Sequence, residues 1–224
     1  QSCLPKLPKD KPGFSTGNFA TLKTIVNLIS EMTDEINFSL SDEGVSIFCM
    51  DSSHVSFMNC QLTPEYFDNF QCDKSKTFGM SIKALQKIFA HCKSNMDISM
   101  SFGEDTILID LANSMNRKSY EIKQMIIDME SLSIPEMEHS HLIMMKSREF
   151  LDISRELVDF GDVCSIDIVD KVLKFKSDGD MGKVTIECEP MDIEIKDEAT
   201  NFHVSLSPKF LCQMAKASNL NDEI

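Results

Sequence analysis

The sequence predicts an α+β fold in which a module of one helix and several antiparallel strands recurs about every 60 residues. Two observations predict this fold. Four amphipathic helical segments begin near residues 17, 81, 147 and 207, and segments of alternating apolar and polar residues lie between them. Because two modules make one domain, the 224 residues predict two similar domains of duplicated helix-plus-strand modules.

The helices are predicted from apolar residues spaced three or four apart, which place one face of each helix on a core. Their inward residues are Phe19, Leu22, Val26, Ile29 and Met32; Ile82, Leu85, Ile88 and Phe89; Phe150, Leu151, Ile153 and Leu157; and Phe210, Leu211 and Met214. Ser81, Ser147 and Ser207 are good N-cap residues. Pro208 suits the first helical position, where its missing N–H costs nothing.

The strands are predicted from two-residue alternation. They cover residues 36–40, 44–50, 55–61, 96–102, 106–112, 119–126, 139–145, 163–169, 172–177, 183–189 and 202–206. Asp51–Ser53 supplies short side chains that bond back to the backbone in a turn, and His54 and Val55 are predicted to begin the returning strand. The fourth module ends soon after its helix, at Ile224, so the repeat predicts that the natural protein continues for about 40 to 50 residues.

The composition predicts real hydrophobic cores and an acidic surface. Hydrophobic residues make up 42% of the chain, and 36 acidic residues oppose 22 basic ones, for a net charge of −14. No apolar run approaches ~20 residues and the N-terminus has no signal-peptide pattern, so we expect neither a membrane span nor secretion. The eight cysteines form no Cys-x-x-Cys pair, which is typical of free thiols in a reducing compartment.

The net charge restricts one class of partner. A uniformly acidic surface repels a DNA duplex, because affinity for DNA depends on cations placed near its phosphates. DNA is therefore a partner only if the basic residues are segregated from the acidic ones.

The segment Gly44–Ser56, with its Gly-Val-Ser-Ile strand followed by Met-Asp-Ser-Ser-His-Val, resembles the proliferating cell nuclear antigen family. These proteins are the sliding clamps of eukaryotic DNA replication. Further matches stand in the family's order at about the family's spacing, namely Tyr66–Asp73, Gly79–Ile82, Ser119–Lys123, Ile134–Glu136, Arg148–Phe150 and Leu173–Gly182. The resemblance covers roughly residues 13 to 224.

The resemblance implies a DNA clamp, a homotrimeric ring whose helices line a central hole and whose sheets form the outer wall. It implies clamp domains at residues 13–127 and 139–224, the second incomplete at its C-terminus, and a connector at residues 128–138. The first strand of the family begins almost at the N-terminus. Residues 1–12 are therefore expected to form a flexible extension, and residues 13–18 a poor substitute for that strand.

Basic residues on the exposed helix faces are implied to meet duplex phosphates, without base readout. The resemblance assigns this role directly to Lys23, Lys87, Arg155 and Lys216, with Lys83, Lys93, Arg117, Lys118 and Lys209 as neighbours. Ser30, Ala90 and Asp152 replace residues that are usually basic in the family, so weak DNA contact is expected. Taken alone, the same lysines are typical of a solvated helix face.

A second implied surface binds partner peptides that carry one aliphatic and two aromatic anchors on a short helical turn. Its residues are Met50, His54 and Phe57 from the hairpin and Leu132, Ile134 and Pro135 from the connector. The acidic residues of the connector would attract basic flanks of such peptides. On sequence alone, the connector residues are also typical of an ordinary linker with buried anchors.

The implied subunit contact pairs strand 117–123 of one copy with strand 183–188 of the next, head to tail. Its residues are Tyr120, Ile122, Val184 and Ile186. The implied function is that of a processivity factor, which a clamp loader places on double-stranded DNA and which tethers DNA polymerase and other replication and repair proteins. Its implied location is the nucleus, or the replication compartment of a large DNA virus. No cofactor, metal or catalytic residue is implied.

Two other functions stay open at this point. A divergent clamp-like adaptor, such as one subunit of a heteromeric checkpoint ring, would carry the same motifs but need different sister subunits. A hydrolase would use His91 and Cys92, but adjacent residues point apart and no oxyanion-hole turn accompanies them. His139 and His141 lack the further ligands of a zinc site, and the eight glycines form no phosphate-binding loop.

Overall fold

The computed structural model describes residues 4–128, 139–170, 172–195 and 201–224. The chain divides into two compact units, residues 1–130 and 131–224. The first unit contains β1 (Gly13–Thr16), α1 (Phe19–Ser30), β2 (Glu35–Ser41), β3 (Gly44–Met50), β4 (Phe57–Leu62), a 3-10 turn (Pro64–Tyr66), β5 (Asn69–Gln71), β6 (Lys76–Ser81), α2 (Ile82–Ala90), β7 (Asp97–Phe102), β8 (Thr106–Ala112) and β9 (Arg117–Lys123). None of the helices in the described ranges combines the length and the apolar character of a bilayer-spanning segment.

Two antiparallel sheets and two helices share one core in the first unit. The sheets have the strand orders β5-β1-β7-β8-β9 and β4-β3-β2-β6. Alternate residues of the strands point inward as the two-residue pattern predicted, so that Ile36, Phe38 and Leu40 of β2 are buried. The helices α1 and α2 pack together, and Phe19 and Phe89 make an edge contact with 4.9 Å between ring centroids.

The first strand corrects an expectation. Gly13–Thr16 pairs with β5 on one side and with β7 on the other, and Phe14 lies fully buried with its ring centroid 4.5 Å from that of Phe67. A Cβ atom at Gly13 would overlap the carbonyl oxygen of Met100, so glycine here permits the close approach of β7. The segment that we expected to be a poor strand lies in the interior of a five-stranded sheet.

The residues that precede β1 lie against the same sheet. The side-chain amide of Gln71 donates to the carbonyl oxygens of Lys9 and Lys11, at 2.8 and 3.1 Å. The backbone N–H of Phe102 donates to the carbonyl oxygen of Pro12 at 2.9 Å. These three contacts fix the carbonyl groups of Lys9, Lys11 and Pro12 on the sheet. The flexibility expected of residues 1–12 stays a prediction.

The second unit repeats the arrangement of helices on antiparallel strands. It contains β10 (His141–Met144), α3 (Ser147–Phe160), β11 (Cys164–Val169), β12 (Val172–Gly179), β13 (Gly182–Cys188), β14 (Asp192–Ile195), β15 (Phe202–Leu206), α4 (Pro208–Ala215) and a 3-10 turn (Lys216–Asn219). Its sheets have the orders β13-β12-β11-β15 and β10-β14. The helices α3 and α4 pack together, and Leu157 and Leu211 join Phe175 in the core.

The helix starts confirm some of the predicted caps and correct others. The hydroxyl of Ser81 accepts a hydrogen bond from the N–H of Ala84 at 3.3 Å, and Pro208 occupies the start of α4. Lys146, not Ser147, is the N-cap of α3. The reason is that the N–H of Ser147 donates to the carbonyl oxygen of Asp222 at 2.9 Å, so the backbone of a distant segment replaces the expected side-chain cap.

The prediction that Met214 is a core residue of α4 is wrong. Met214 is 50% exposed. The buried stripe of this short helix runs through Pro208, Leu211 and Ala215, which repeat every three or four residues. Met214 therefore lies beside the stripe rather than within it.

Besides β1, three strands, β5, β6 and β14, are absent from the predicted set. In β6, Gly79 stands between the buried Phe78 and Met80, and a Cβ atom there would overlap the carbonyl oxygen of Met125. The N–H of Met125 donates to the carbonyl oxygen of Gly79 at 2.9 Å, so the segment after β9 lies along β6. The strand predicted to reach Ile126 therefore ends at Lys123.

Gly44→Ala is expected to lower the free energy of unfolding by about 3 kcal/mol. Gly44 has φ +114°, and an added Cβ would overlap the backbone carbonyl of Leu62. Gly182→Ala is the matched control, because Gly182 has φ +131° with no atom within 4 Å of the added Cβ. The control isolates the cost of the left-handed backbone, about 1 kcal/mol. Urea unfolding measures both values, and equal losses would contradict the steric argument.

Candidate functional site

The turn between β3 and β4 is organised by the carboxylate of Asp51. Its oxygens accept hydrogen bonds from the N–H groups of Ser53, Val55 and Ser56, at 3.1, 2.9 and 2.7 Å, and a further bond from the hydroxyl of Ser53. These bonds, the Ser53 hydroxyl first among them, hold the pKa of the Asp51 carboxyl well below its usual range. The predicted turn, with short side chains bonded to the backbone, is confirmed.

The returning strand begins later than predicted. His54 has a φ of 57°, a left-handed conformation that is uncommon for a residue with a side chain. Val55 gives its N–H to the Asp51 carboxylate and is 66% exposed. The prediction that His54 and Val55 begin the strand is therefore wrong, and β4 starts at Phe57.

The outer face of this hairpin carries an apolar cluster, the hairpin patch, formed by Phe48, Met50 and Phe57. The rings of Phe48 and Phe57 lie 5.9 Å apart between centroids, Met50 stands opposite Phe57 in the ladder, and Phe57 is 40% exposed. The structure thus places two predicted pocket residues together, next to the turn that carries His54. Phe48 was missed, although its alternation with the buried Ile47 marks it as an outward apolar residue.

The connector side of the predicted pocket is not part of the described structure. Leu132, Ile134 and Pro135 lie outside the described residues. The contribution of these three residues to a peptide site therefore stays a prediction.

Two of the predicted DNA-binding lysines bind the carboxyl end of α2. The ammonium of Lys23 donates to the carbonyl oxygen of Cys92 at 3.2 Å, and that of Lys118 donates to the carbonyl oxygen of His91 at 2.6 Å. Carbonyl groups at a helix C-terminus lack intrahelical partners and carry the negative end of the helix dipole, so cations there are stabilising. Both lysines therefore contribute to holding α2 in place.

Other predicted cations of the first unit lie on its surface. Lys83 and Lys87 are exposed on α2, and Lys83 forms an ion pair with Asp34 at 2.5 Å. Lys93 follows α2 and Arg117 begins β9, and both are exposed. The exposed surface of α2 is thus basic.

The exposed face of α3 in the second unit is mainly acidic. It carries Arg148, Glu149, Asp152, Arg155, Glu156 and Asp159. Arg155 Nη1 is 3.8 Å from Asp152 Oδ1, and Lys209 Nζ of α4 is 3.7 Å from Asp162 Oδ1. Lys216 begins the 3-10 turn after α4. Basic residues are therefore less segregated on the helices of the second unit than on α2.

The two strands predicted to join subunits are both terminal strands of a sheet. β9 ends the five-stranded sheet of the first unit, and β13 ends the four-stranded sheet of the second. Tyr120 and Ile122 pack on the core of the first unit, and Val184 and Ile186 pack on that of the second. The intervening residues of both strands are the exposed ones. Local sequence patterns did not show which strands end a sheet, and the sheet order places β9 and β13 among the terminal strands, as it does β5, β4, β6 and β15.

Two protein-family models match the chain in tandem. The model described as Proliferating cell nuclear antigen, N-terminal domain, matches residues 14–133, and that of the C-terminal domain matches residues 133–224. The chain belongs to the proliferating cell nuclear antigen family. The predicted family and the α+β clamp fold are confirmed. Members of this family are DNA sliding clamps of nuclear replication, and they act as scaffolds rather than as enzymes.

Of the side chains weighed for catalysis or metal binding, Cys92 and His141 have packing roles in this member of the proliferating cell nuclear antigen family, and His91 and His139 are exposed. Cys92 is buried, its thiol donates to the carbonyl oxygen of Ile88, and burial raises the pKa of the thiol, which disfavours the nucleophilic thiolate. The ring of His141 packs on that of Phe202 with 5.1 Å between centroids. His141 Nδ1 lies 2.9 Å from the hydroxyl oxygen of Ser140.

A row of alternating charges crosses the four-stranded sheet of the second unit. Glu187, Lys174, Asp167 and His203 stand opposite one another on successive strands. Lys174 Nζ is 2.6 Å from Glu187 Oε1. Asp167 is 2.5 Å from His203 Nδ1 and 3.0 Å from Lys176 Nζ. The bond from His203, supported by Lys176, holds the pKa of the Asp167 carboxyl below its usual range despite its burial.

Asp167→Asn is expected to lower the free energy of unfolding at pH 7 by about 1–2 kcal/mol. Because the pKa of Asp167 is lowered by folding, its stabilisation is present above the unfolded pKa of about 4 and is lost as pH falls through the folded value. The difference between wild type and variant should therefore shrink below about pH 4. Urea unfolding at several pH values measures this difference.

The matched control is Asp178→Asn on the same sheet. Asp178 pairs with Lys183 at 2.7 Å, but both side chains are exposed, so the loss should stay under about 0.5 kcal/mol. A loss at Asp178 as large as that at Asp167 would contradict the assignment.

Proposed function

We propose that this chain is a DNA polymerase processivity factor. In this proposal, three copies close head to tail into a ring around double-stranded DNA, a clamp loader places the ring, and the ring tethers DNA polymerase and other replication and repair proteins. The observation that carries the proposal is that β9 and β13 each end a sheet in a member of a sliding-clamp family. A terminal strand is a template for pairing with another chain.

The charges on the two strands support one register. If β9 and β13 pair antiparallel with their core-facing residues on the same side, Arg117 can stand opposite Glu187 and Glu121 opposite Lys183. Tyr120 then faces Val184 on the core side. A shift by two residues in one direction places Lys123 opposite Lys183, and a shift in the other leaves both acidic residues without a basic partner. Opposite charges on facing strands are favourable and like charges are not.

A ring accounts for DNA binding by an acidic protein. Linkage around the duplex removes the need for tight contacts, and non-specific phosphate contacts allow sliding. Lys87 and Lys93, which are exposed on and after α2, are the cations that we propose for such contacts. The acidic face of α3 supports weak binding, consistent with the replacement of usually basic residues at Ala90 and Asp152.

The hairpin patch is the proposed anchor site for partner peptides. Phe48 and Phe57 offer adjacent aromatic surface, which suits the aromatic anchors of such peptides. A partner held on a ring that cannot leave the duplex rebinds before it escapes, so a weak peptide contact gives strong retention. The proposed location is the nucleus or a viral replication compartment.

Polymerase product length on primed circular DNA tests the proposal. With a clamp-dependent polymerase and its loader, the protein is expected to lengthen products. Phe57→Ala should abolish the gain through loss of the peptide anchor. Lys87→Glu should reduce product length about twofold to threefold, and more at higher salt, through loss of a phosphate contact.

Lys146→Glu, the same charge change at an exposed residue of the second unit, is the control and should leave product length unchanged. The mass in solution adds a second readout. A protein that stays monomeric and leaves product length unchanged would contradict the proposal, and would favour a chain that needs different sister subunits.

A further inference from the structure

A groove runs beside β5, between this strand and the residues that precede β1. It has a volume of about 570 Å³ and is lined by residues 4–7 on one wall and 68–71 on the other. A recess of about 200 Å³ continues it and is lined by residues 10–12 and by Gln71, Asp73, Lys74 and Lys76. Gln71 borders both spaces, so we treat them as one site, the β5 groove.

The groove runs along the edge of β5 that no other strand of the described sheet covers. β5 pairs with β1 and is the terminal strand of the sheet order. Gln71 binds the preceding segment through its side chain, at the carbonyl oxygens of Lys9 and Lys11, rather than through strand pairing. A terminal strand presents a row of backbone donors and acceptors that an extended peptide can use.

The groove is basic within an acidic protein. Four lysines line it, namely Lys6, Lys11, Lys74 and Lys76, and Lys9 lies between two of them in the sequence. None of them takes part in an ion pair within the described part of the chain. Three aspartates also line it, namely Asp10, Asp68 and Asp73, and Asp68 accepts a hydrogen bond from the N–H of Gly17 at 2.8 Å. The net charge of the groove is therefore opposite to that of the whole chain, which is −14.

We propose that the β5 groove binds an extended acidic peptide, which pairs with the edge of β5 while its carboxylates meet the lysines. Single-stranded nucleic acid would share the charge complementarity, but its tight binding uses aromatic side chains on which bases stack. Phe70, the aromatic residue of the groove, is stacked on Phe67 at 5.5 Å and packs on the core. The geometry thus favours a peptide, and the site is separate from the surfaces proposed for DNA, partner anchors and subunit contact.

Fluorescence anisotropy of the full chain with a labelled octapeptide of alternating Glu and Val tests the proposal. Saturable binding that weakens with salt is expected, with no binding of the matching Lys and Val peptide. Lys74→Glu and Lys76→Glu should each weaken binding about threefold, and together about tenfold. Lys146→Glu, exposed in the second unit, should leave binding unchanged.

An oligothymidylate of the same length separates the two ligand classes. Tighter binding of the oligothymidylate than of the acidic peptide would overturn the proposal, as would absence of peptide binding at low salt. Amide hydrogen exchange locates the peptide, because pairing with β5 should slow exchange at Asn69–Gln71. Peptide binding without protection of these amides would overturn the assignment to the strand edge.

Discussion

Glu121→Lys is expected to dissociate the proposed trimer, and adding Lys183→Glu in the same chain is expected to restore it. In the proposed register, Glu121 of one copy faces Lys183 of the next. The single change places two cations opposite each other at every subunit contact. Replacing attraction by repulsion at an interface costs about 2 kcal/mol, or about 30-fold in the dissociation constant. The double change exchanges the two charges and returns the attraction.

The side chains have the freedom that this test requires. Lys183 is 77% exposed even while it pairs with Asp178, so its ammonium can turn toward a second carboxylate. Glu121 alternates with the core-facing Tyr120 and Ile122 and is exposed. Neither substitution removes a core contact, so each unit should keep its stability.

Sedimentation velocity at low salt measures the association of the wild type, of Glu121→Lys and of the double variant. Glu43→Lys, the same charge change at an exposed turn between β2 and β3, is the control and should remain trimeric. Dissociation of the double variant to the same extent as Glu121→Lys would refute the proposed register. A trimer that persists in Glu121→Lys would exclude these residues from the contact.

Asp51→Ala is expected to weaken binding of a partner peptide more than tenfold while the first unit stays folded. The carboxylate accepts bonds from three N–H groups and one hydroxyl, and these bonds hold the turn in which His54 adopts its left-handed conformation. A non-glycine residue in that conformation costs about 1–2 kcal/mol. Without the carboxylate the turn should relax, and the residues of the turn that lie beside the hairpin patch should no longer be held in one position.

Anisotropy with a labelled peptide that carries one aliphatic and two aromatic anchors measures this loss, and thermal unfolding measures the fold. Ser52→Ala, at an exposed neighbour in the same turn, should bind as wild type. Asp51→Asn keeps one acceptor oxygen and should lie between the two. Because the pKa of Asp51 is strongly lowered, wild-type binding should not change between pH 7 and pH 5 through this group. If Asp51→Ala bound the peptide with wild-type affinity, the turn could not be part of the peptide site.

The elements that sequence reasoning placed well are those whose signal is local. In α2, Ser81 caps the helix and Ile82, Leu85, Ile88 and Phe89 are all buried as predicted. The strand β3 covers Gly44–Met50 as predicted. Helical and strand periods repeat within a few residues, so they can be read along the chain without knowledge of distant partners.

The candidate sites were predicted less completely for the same reason. The turn chemistry of Asp51 was predicted because its bonds reach at most five residues along the chain. Phe48 was missed because its partner, Phe57, stands on another strand. The assignment of Lys23 and Lys118 to DNA stays a prediction, and their contacts with carbonyl oxygens that lie 69 and 27 residues away were not predicted.

The sequence by itself determined the family, the α+β class and the recurrence of helix and strands, because periodicity and short motifs depend on neighbouring residues. Only the tertiary structure decided that Gly13–Thr16 is an interior strand and that β9 and β13 end their sheets. Strand order depends on hydrogen bonds between residues far apart in the chain. Each glycine at a close approach of two backbones, such as Gly13 and Gly79, acquires its meaning from the atom it faces rather than from its own neighbours.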